Sequence, residues 1–336
     1  MRTQLRSLIL IVLCLLPSRA SSAALHEVRE IHYQMGTFLE FVLWHSNPNV
    51  AKQIVREAVE EVHRLDGILS NFDPESSVSR LNQHAGKGKT SLPWELYELL
   101  TVARRFSVIT SGDFDVTVGP LITLWRNHAA LGRLPDRDNL AQVLQFVGYE
   151  KLRLYNDRFA ELQLRGMNID LGGIGKGYAV DWIVNRVKAA GVHSALINFG
   201  GSSIYALGTP PGKPGWEIGI KGPDEKVRGM IYLHDMALST SGSMGKFWTI
   251  AGKKYGHLID PKNGTPVLEP RVATAIAATA TVAEALTKPL VLRGKTGIRL
   301  LTRLPGTEAL VISEDGVLSY SAGFRSLTNW QEIPES

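Results

Sequence analysis

The chain has 336 residues, of which 44% are hydrophobic, with a formal net charge of +5 and one cysteine. That apolar content suffices for one large core or two intimate subdomains, while a single cysteine excludes a disulfide framework and a thiolate metal cluster. Removing the three arginines of the first 24 residues (Arg2, Arg6 and Arg19) takes the charge from +5 to +2, so nothing in the balance argues for nucleic acid as a partner.

Residues 1–24 read as an export leader. Arg2 and Arg6 precede an apolar run from Leu8 to Leu16, and small residues follow from Ala20 to Ala24. The run is too short to serve as a stable bilayer span. Leu13 stands before Cys14 where a lipoprotein signal carries a small residue, which argues against a lipid anchor. Cleavage near Ala23 or Ala24 removes the cysteine, a composition suited to an oxidising compartment. Export is therefore expected, to the periplasm if the source is Gram-negative, with residues 25–325 as the working domain and 326–336 as a C-terminal tail.

Along the chain, 27–45 reads as extended, interrupted at Met35-Gly36-Thr37. Val50, Ile54, Val55, Ala58, Val62, Leu65 and Leu69 recur at helical spacing. Residues 70–82 are polar and turn-like, and Pro93 opens a helix through Val108. A shorter helix is expected over 138–147, then a hairpin around Asn156-Asp157. Residues 173–190 follow as a helix, with strands near 194–199, 216–221, 228–239, 254–259 and 272–280. A helix starts at about 282, and Asp315-Gly316 turns a last hairpin. This mixed order of strands and helices predicts an α+β fold.

The stretch DLGGIGKGYAV at 170–180 joins an apolar strand to a helix through four glycines, with Asp170 before them and Lys176 among them. Glycines let backbone N–H groups approach a ligand, and a helix N-terminus favours negative charge. The stretch therefore reads either as a phosphate-binding loop or as a close-packed turn. It is not a P-loop, because Gly177 follows Lys176 where Ser or Thr belongs, and it is one residue short of a dinucleotide fingerprint.

Four other clusters carry polar chemistry. Asp113 and Asp115 flank Phe114 in a Gly-containing loop, able to accept from ligand hydroxyls or to satisfy their own turn. Asn198-Phe199-Gly200-Gly201 is a strand end running into glycines, and either a ligand approach or a plain turn. His257, near Asp260 and downstream of Ser239-Thr240-Ser241, is a candidate general base for a hydroxyl. Thr281 and Glu284 make a capping-box pattern, and Glu284 with Lys288 an i,i+4 pair.

Taken in order, the blocks MGT (35–37), SNFDPESSVSRLN (70–82), TSGDFDVTVGPLITLW (110–125), DLGGIGKGYAVD (170–181), NFGG (198–201), STSG (239–242) and HLIDPKNGTPV (257–267) resemble the ApbE family of FAD:protein FMN transferases. The resemblance runs colinearly from about Met35 to Gly294. It implies a T-fold-related architecture of mixed sheets with packed helices in two intimate subdomains. It also implies cleavage of the FAD pyrophosphate and transfer of FMN to a Thr or Ser hydroxyl of an exported acceptor flavoprotein, with AMP released. By the same resemblance, Met35, Phe72, Asp113, Phe114, Asp115, Asp170, Lys176 and Ile259 (or its neighbour Leu258) contact FAD, with Phe72 in place of a usual tyrosine. His257 matches the residue that activates the acceptor hydroxyl. Mg²⁺ is implied, held by the Gly173 carbonyl, an Asp, and a Thr or Ser four residues later.

Those last two positions are Glu284 and Lys288 here. Glutamate can still ligate through one oxygen, but an ammonium has no lone pair, and Lys288 is expected to act on phosphate as a point charge. Pro289 is expected to disturb its helix. Ser202 and Ser243-Met244 are further departures, the family having an acid and Asp-Tyr there. Non-catalytic FAD binding, or FAD cleavage without an acceptor, are the alternatives these departures raise.

Overall fold

The computed structural model describes residues 24–333, so the proposed leader lies, but for its last residue, outside the described residues. An eight-stranded antiparallel sheet organises the molecule, in the order 26–34, 37–45, 195–199, 203–207, 236–242, 271–277, 308–313 and 318–320. Both faces are covered, and side-chain alternation sorts the residues between them. Leu39, Phe41 and Leu43 join the core beneath the helices 48–69, 94–109, 175–189 and 280–293, whereas Val42 points the other way.

The central strands divide their faces by size. Ala237, Ala273, Ala275, Ala277 and Ala309 face the helices, whereas Leu238, Ile276, Leu310 and Ile312 face the second core. Small side chains let helix 280–293 lie close over the sheet, through its own Ala280, Ala283 and Ala285. On the opposite face a small sheet of 216–221, 227–233 and 331–332 closes over the larger residues. A third apolar cluster joins helix 119–130 to the hairpin 247–250/253–256, where Trp125 stacks on Trp248 with ring centroids 6.5 Å apart.

Several elements differ from the sequence expectation. Residues 77–83 are a helix, started by the Ser76 hydroxyl accepting from the Ser79 N–H. Helix 119–130 and strand 203–207 were not expected from pattern; the latter is buried along its whole length and shows no alternation. The stretch 228–239 is two strands, 227–233 and 236–242, in different sheets. Residues 326–333 are no tail: Trp330 packs on the second core and Gln331–Glu332 pair with Gly229–Met230. The helix from Ala280 runs through Pro289 to Arg293 instead of breaking.

Candidate functional site

At one end of the central sheet opens a cleft of about 1310 Å³. Hairpin turns supply part of its wall. Met35 and Gly36 both have positive φ, 45° and 76°, as a two-residue turn with matching twist requires. Gly200 sits against Thr37, which a Cβ there would meet at 2.9 Å. The glycine loop, the Asp113–Val116 loop, the end of strand 236–242 and His257–Ile259 complete the wall.

The glycine loop is held from behind by the SNFDPESSVSRLN block. Asn82 accepts from the Ile169 N–H at 2.7 Å and donates to its carbonyl at 3.0 Å, and Asn71 also donates to that carbonyl. Asp170 follows this anchored residue; its carboxylate accepts from the Gly172 N–H at 2.8 Å, and it borders both the cleft and an adjoining cavity of about 430 Å³. Burial raises its pKa, against the Gly172 N–H and the charge of Arg126.

Helices 175–189 and 280–293 exchange carboxylates at their N-termini. Asp181 accepts from the N–H groups of Ala280 (2.7 Å) and Thr281 (2.9 Å) and from the Thr281 hydroxyl (2.5 Å). In return Glu284, 2% exposed, accepts from the Gly177 N–H at 2.6 Å and from Lys176 Nζ at 3.0 Å. Gly177 has to be glycine, since a Cβ there would lie 2.4 Å from the Ala280 carbonyl oxygen. The capping box expected of Thr281 and Glu284 is therefore absent. Thr279 is the N-cap, accepting from the Val282 N–H, and both expected partners reach to the other helix.

Nor do Glu284 and Lys288 form a carboxylate–ammonium contact. Lys288 Nζ donates instead to the Glu284 backbone carbonyl (3.1 Å), the Thr287 hydroxyl (3.1 Å) and the Ser241 hydroxyl (3.3 Å). Its stem packs against the loop, with Cε 3.1 Å from where a Gly173 Cβ would stand. Burial pushes the Lys288 ammonium down to about 8, against the pull of the Glu284 charge. Burial would raise the Glu284 carboxyl, but Lys176, Lys288 and the Gly177 N–H together hold it below its ordinary value.

These donors do not fit Mg²⁺, which favours an octahedron of oxygen ligands. Both Glu284 oxygens already accept from N–H groups, position 288 brings an ammonium, and the Ser241 and Thr287 hydroxyls bond each other at 2.8 Å. Among the described residues no group of three or more His, Cys, Asp or Glu side chains is placed to hold a metal ion. Gly173 and Glu284, expected as metal positions, thus belong to a lysine-flanked cluster.

The two aspartates of the 113–115 loop have different surroundings. Asp113 accepts from Lys262 Nζ at 2.6 Å and from Arg293 Nη2 at 2.5 Å, and Arg293 also reaches Asp260 at 3.0 Å. Burial acts to raise the Asp113 carboxyl, but these two cations hold it low. Asp115 closes its own turn by accepting from the Thr117 N–H (2.8 Å) and hydroxyl (2.7 Å), then takes the Tyr149 N–H (2.7 Å). Its burial pushes the pKa up to about 6. Between them Phe114 is buried, with its ring edge near Gly173.

Phe72 contrasts with Phe114. It is 86% exposed at the border of both cavities, an aromatic face presented to whatever enters. Ile259 is buried in the third apolar cluster, and Leu258 packs on the main core. His257 accepts nothing at Nδ1: that nitrogen lies 2.9 Å from the Lys246 carbonyl, an acceptor only, so it carries the proton. The neutral ring therefore has its lone pair at Nε2. Burial, with Lys288, Lys246 and Lys176 near, lowers the His257 pKa and favours that neutral form.

The cleft thus gathers Met35, Phe72, Asp113, Phe114, Asp115, Asp170, Gly173, Lys176, His257, Ile259, Glu284 and Lys288. The sequence reading missed Asn71, Asn82, Asp181, Lys262 and Arg293, each of which has a site partner 87 to 180 residues away. Asn71 and Asn82 stood in a quoted block, but no local pattern shows what they hold.

The model of the ApbE family matches residues 35–311. The chain belongs to the ApbE family. An ApbE relative from Treponema pallidum, named FAD:protein FMN transferase, is 30% identical over 93% of this chain and 91% of its own length. One of the same name from Escherichia coli strain K12 is 25% identical over 84% of this chain and 83% of its own. Among solved structures, the ApbE protein of Thermotoga maritima superposes with a TM-score of 0.80 at 28% identity, covering 90% of this chain and 99% of that one. The flavinyl transferase ApbE of Pseudomonas stutzeri gives 0.79 at 25% identity, with 90% and 97% covered.

Proposed function

We infer that this protein is an FAD:protein FMN transferase, which moves the FMN portion of FAD onto a threonine or serine hydroxyl of an acceptor flavoprotein and releases AMP. Relatives so named span nearly the whole chain. The observation that carries the reading at the level of chemistry is His257, a neutral base with Nε2 available, in one cleft with two lysine ammoniums and an exposed aromatic ring.

In this reading Phe72 stacks on a ring of FAD. Met35, Phe114 and Ile259 form apolar wall, and Asp170 with Lys176 lies nearer the pyrophosphate; Asp113 and Asp115 shape the pocket through the cations and N–H groups they hold. The acceptor hydroxyl oxygen attacks the phosphorus on the riboflavin side, and its proton passes to His257 Nε2. A new O–P bond forms as the P–O bond to AMP breaks, and AMP leaves with that electron pair as its phosphate. Held in place by the Lys246 carbonyl, the imidazole needs no reorientation to take the proton. Mg²⁺, expected from the resemblance, has no step here because the donors do not fit it.

Export belongs to the same reading, supported by the leader pattern of residues 1–24, and places the acceptor outside the cytoplasm. No helix among the described residues is long and apolar enough to cross a membrane. The test is incubation with FAD and an acceptor domain followed by intact mass. An acceptor heavier by FMN less water is expected. Intact FAD and no adduct would overturn the transferase reading, and FMN plus AMP without adduct would replace it with FAD hydrolysis.

A further inference from the structure

The Lys176–Glu284–Lys288 cluster has two cations to one carboxylate, and the two lysines are held differently. Lys176 pairs with Glu284 Oε1, whereas all three hydrogen bonds of Lys288 Nζ go to uncharged oxygens. Lys288 therefore brings a positive charge to the cleft with no carboxylate in contact, on a stem clamped beside Gly173. Thr287 helps to aim it: its hydroxyl donates to the Glu284 carbonyl at 2.7 Å and lies 2.8 Å from the Ser241 hydroxyl. Neutral acceptors are readily exchanged for phosphate oxygens, whose negative charge strengthens a bond from an ammonium.

We propose that Lys288, supported by Lys176, neutralises the FAD pyrophosphate in this protein, so that binding and transfer need no divalent cation. The inference rests on the reading of the cleft as an FAD site. Each group has a definite part. Glu284 holds Lys176 and pins the glycine loop through the Gly177 N–H. The Gly173 backbone lies alongside the Lys288 stem and leaves room for it because it carries no Cβ. As the P–O bond to AMP breaks, charge grows on the departing phosphate, and a fixed ammonium stabilises it without reorganisation.

The test compares FAD with riboflavin, which lacks phosphate, by fluorescence titration of the purified protein in excess EDTA and in millimolar Mg²⁺. Wild-type FAD affinity should differ by less than about twofold between the two conditions. Lys288→Met keeps the packed stem and removes the charge. It should weaken FAD about tenfold or more, as loss of a charged hydrogen-bond partner predicts, and leave riboflavin affinity and the melting temperature near wild type.

Mg²⁺ tightening wild-type FAD binding by about tenfold or more would overturn the proposal. So would equal loss of FAD and riboflavin affinity in Lys288→Met, or no loss of either. Intact-mass assay of an acceptor adds a separate arm. Adduct formed in EDTA supports the proposal, and adduct formed only with Mg²⁺ overturns it. With no adduct in either buffer the transferase reading fails by itself, and the titrations decide the lysine proposal.

Discussion

Replacing Glu284 with alanine removes one side chain that two elements depend on. The carboxylate is 2% exposed and is the acceptor for both the Gly177 N–H and Lys176. Stranding a buried N–H costs about 1–3 kcal/mol, and breaking a buried ion pair by removing one partner costs about 3–5 kcal/mol. These overlap, and Lys176 is about a quarter exposed and can rehydrate, so a total of about 3 kcal/mol is expected. An unfolding entropy of about 2.1 cal/mol/K per residue over roughly 300 residues makes 1 kcal/mol worth about 1.5 °C. Glu284→Ala should therefore lower the melting temperature by about 5 °C at pH 7.

The sign with pH follows from linkage. The folded carboxyl titrates below its ordinary 4.5, so its contribution is present above that pH and is lost as pH falls through the lower folded value. The gap between wild type and variant should close in acid. Differential scanning calorimetry from pH 2 to 8 reads both effects. A drop under about 1 °C at pH 7, or a gap that widens in acid, would refute the reasoning.

Other outcomes follow from single contacts. The lowered His257 pKa predicts a single-turnover rate that rises with pH through a value below the ordinary 6.5 to a plateau. His257→Ala should lower that plateau about 10²–10⁴-fold while FAD titration shows unchanged affinity; a variant above a tenth of wild-type rate would remove His257 as base. Phe72→Ala should weaken FAD about 2- to 10-fold through lost stacking, with no change in melting temperature because the ring is exposed. An unchanged Kd would remove it from the site. Gly177→Ala drives a Cβ to 2.4 Å from the Ala280 carbonyl and should cost about 1–3 kcal/mol as an overpacked contact; calorimetry showing wild-type stability would mean that the helices part freely.

Long elements with a clear period were legible in the sequence. The apolar stripe Ile54, Val55, Ala58, Val62 and Leu65 faces the core of helix 48–69 as spacing predicts, and the 152–162 hairpin falls where its alternation puts it. Strand 203–207 escaped because both its faces are covered, which erases alternation. Helix 119–130 escaped because its start combines Gly119 and Pro120, which read as a loop until the close approach of Asn168 to Gly119 is seen. At the site, residue types and order were readable, but pairings were not. Asp113 and Asp115 read alike, yet one meets two cations from distant segments and the other closes a local turn. Glu284 and Lys288 are four apart on one helix and still face different partners, since local spacing says nothing of a loop 108 residues upstream.

The exchange of carboxylates between Asp181 and Glu284 also bears on how the chain assembles. Neither helix start is fully satisfied from its own neighbourhood: Thr279 caps only the Val282 N–H, the N–H groups capped by Asp181 lie 99 and 100 residues away, and that capped by Glu284 lies 107 away. Closing a loop of that size must be met before either contact gives anything back, and topologies ruled by such contacts fold slowly. The cleft therefore cannot close until the C-terminal third has been made, about a hundred residues after helix 175–189, which lies near the middle of the chain. A nascent chain released before residue 284 would carry the glycine loop with its first turn uncapped, open to water and to proteases.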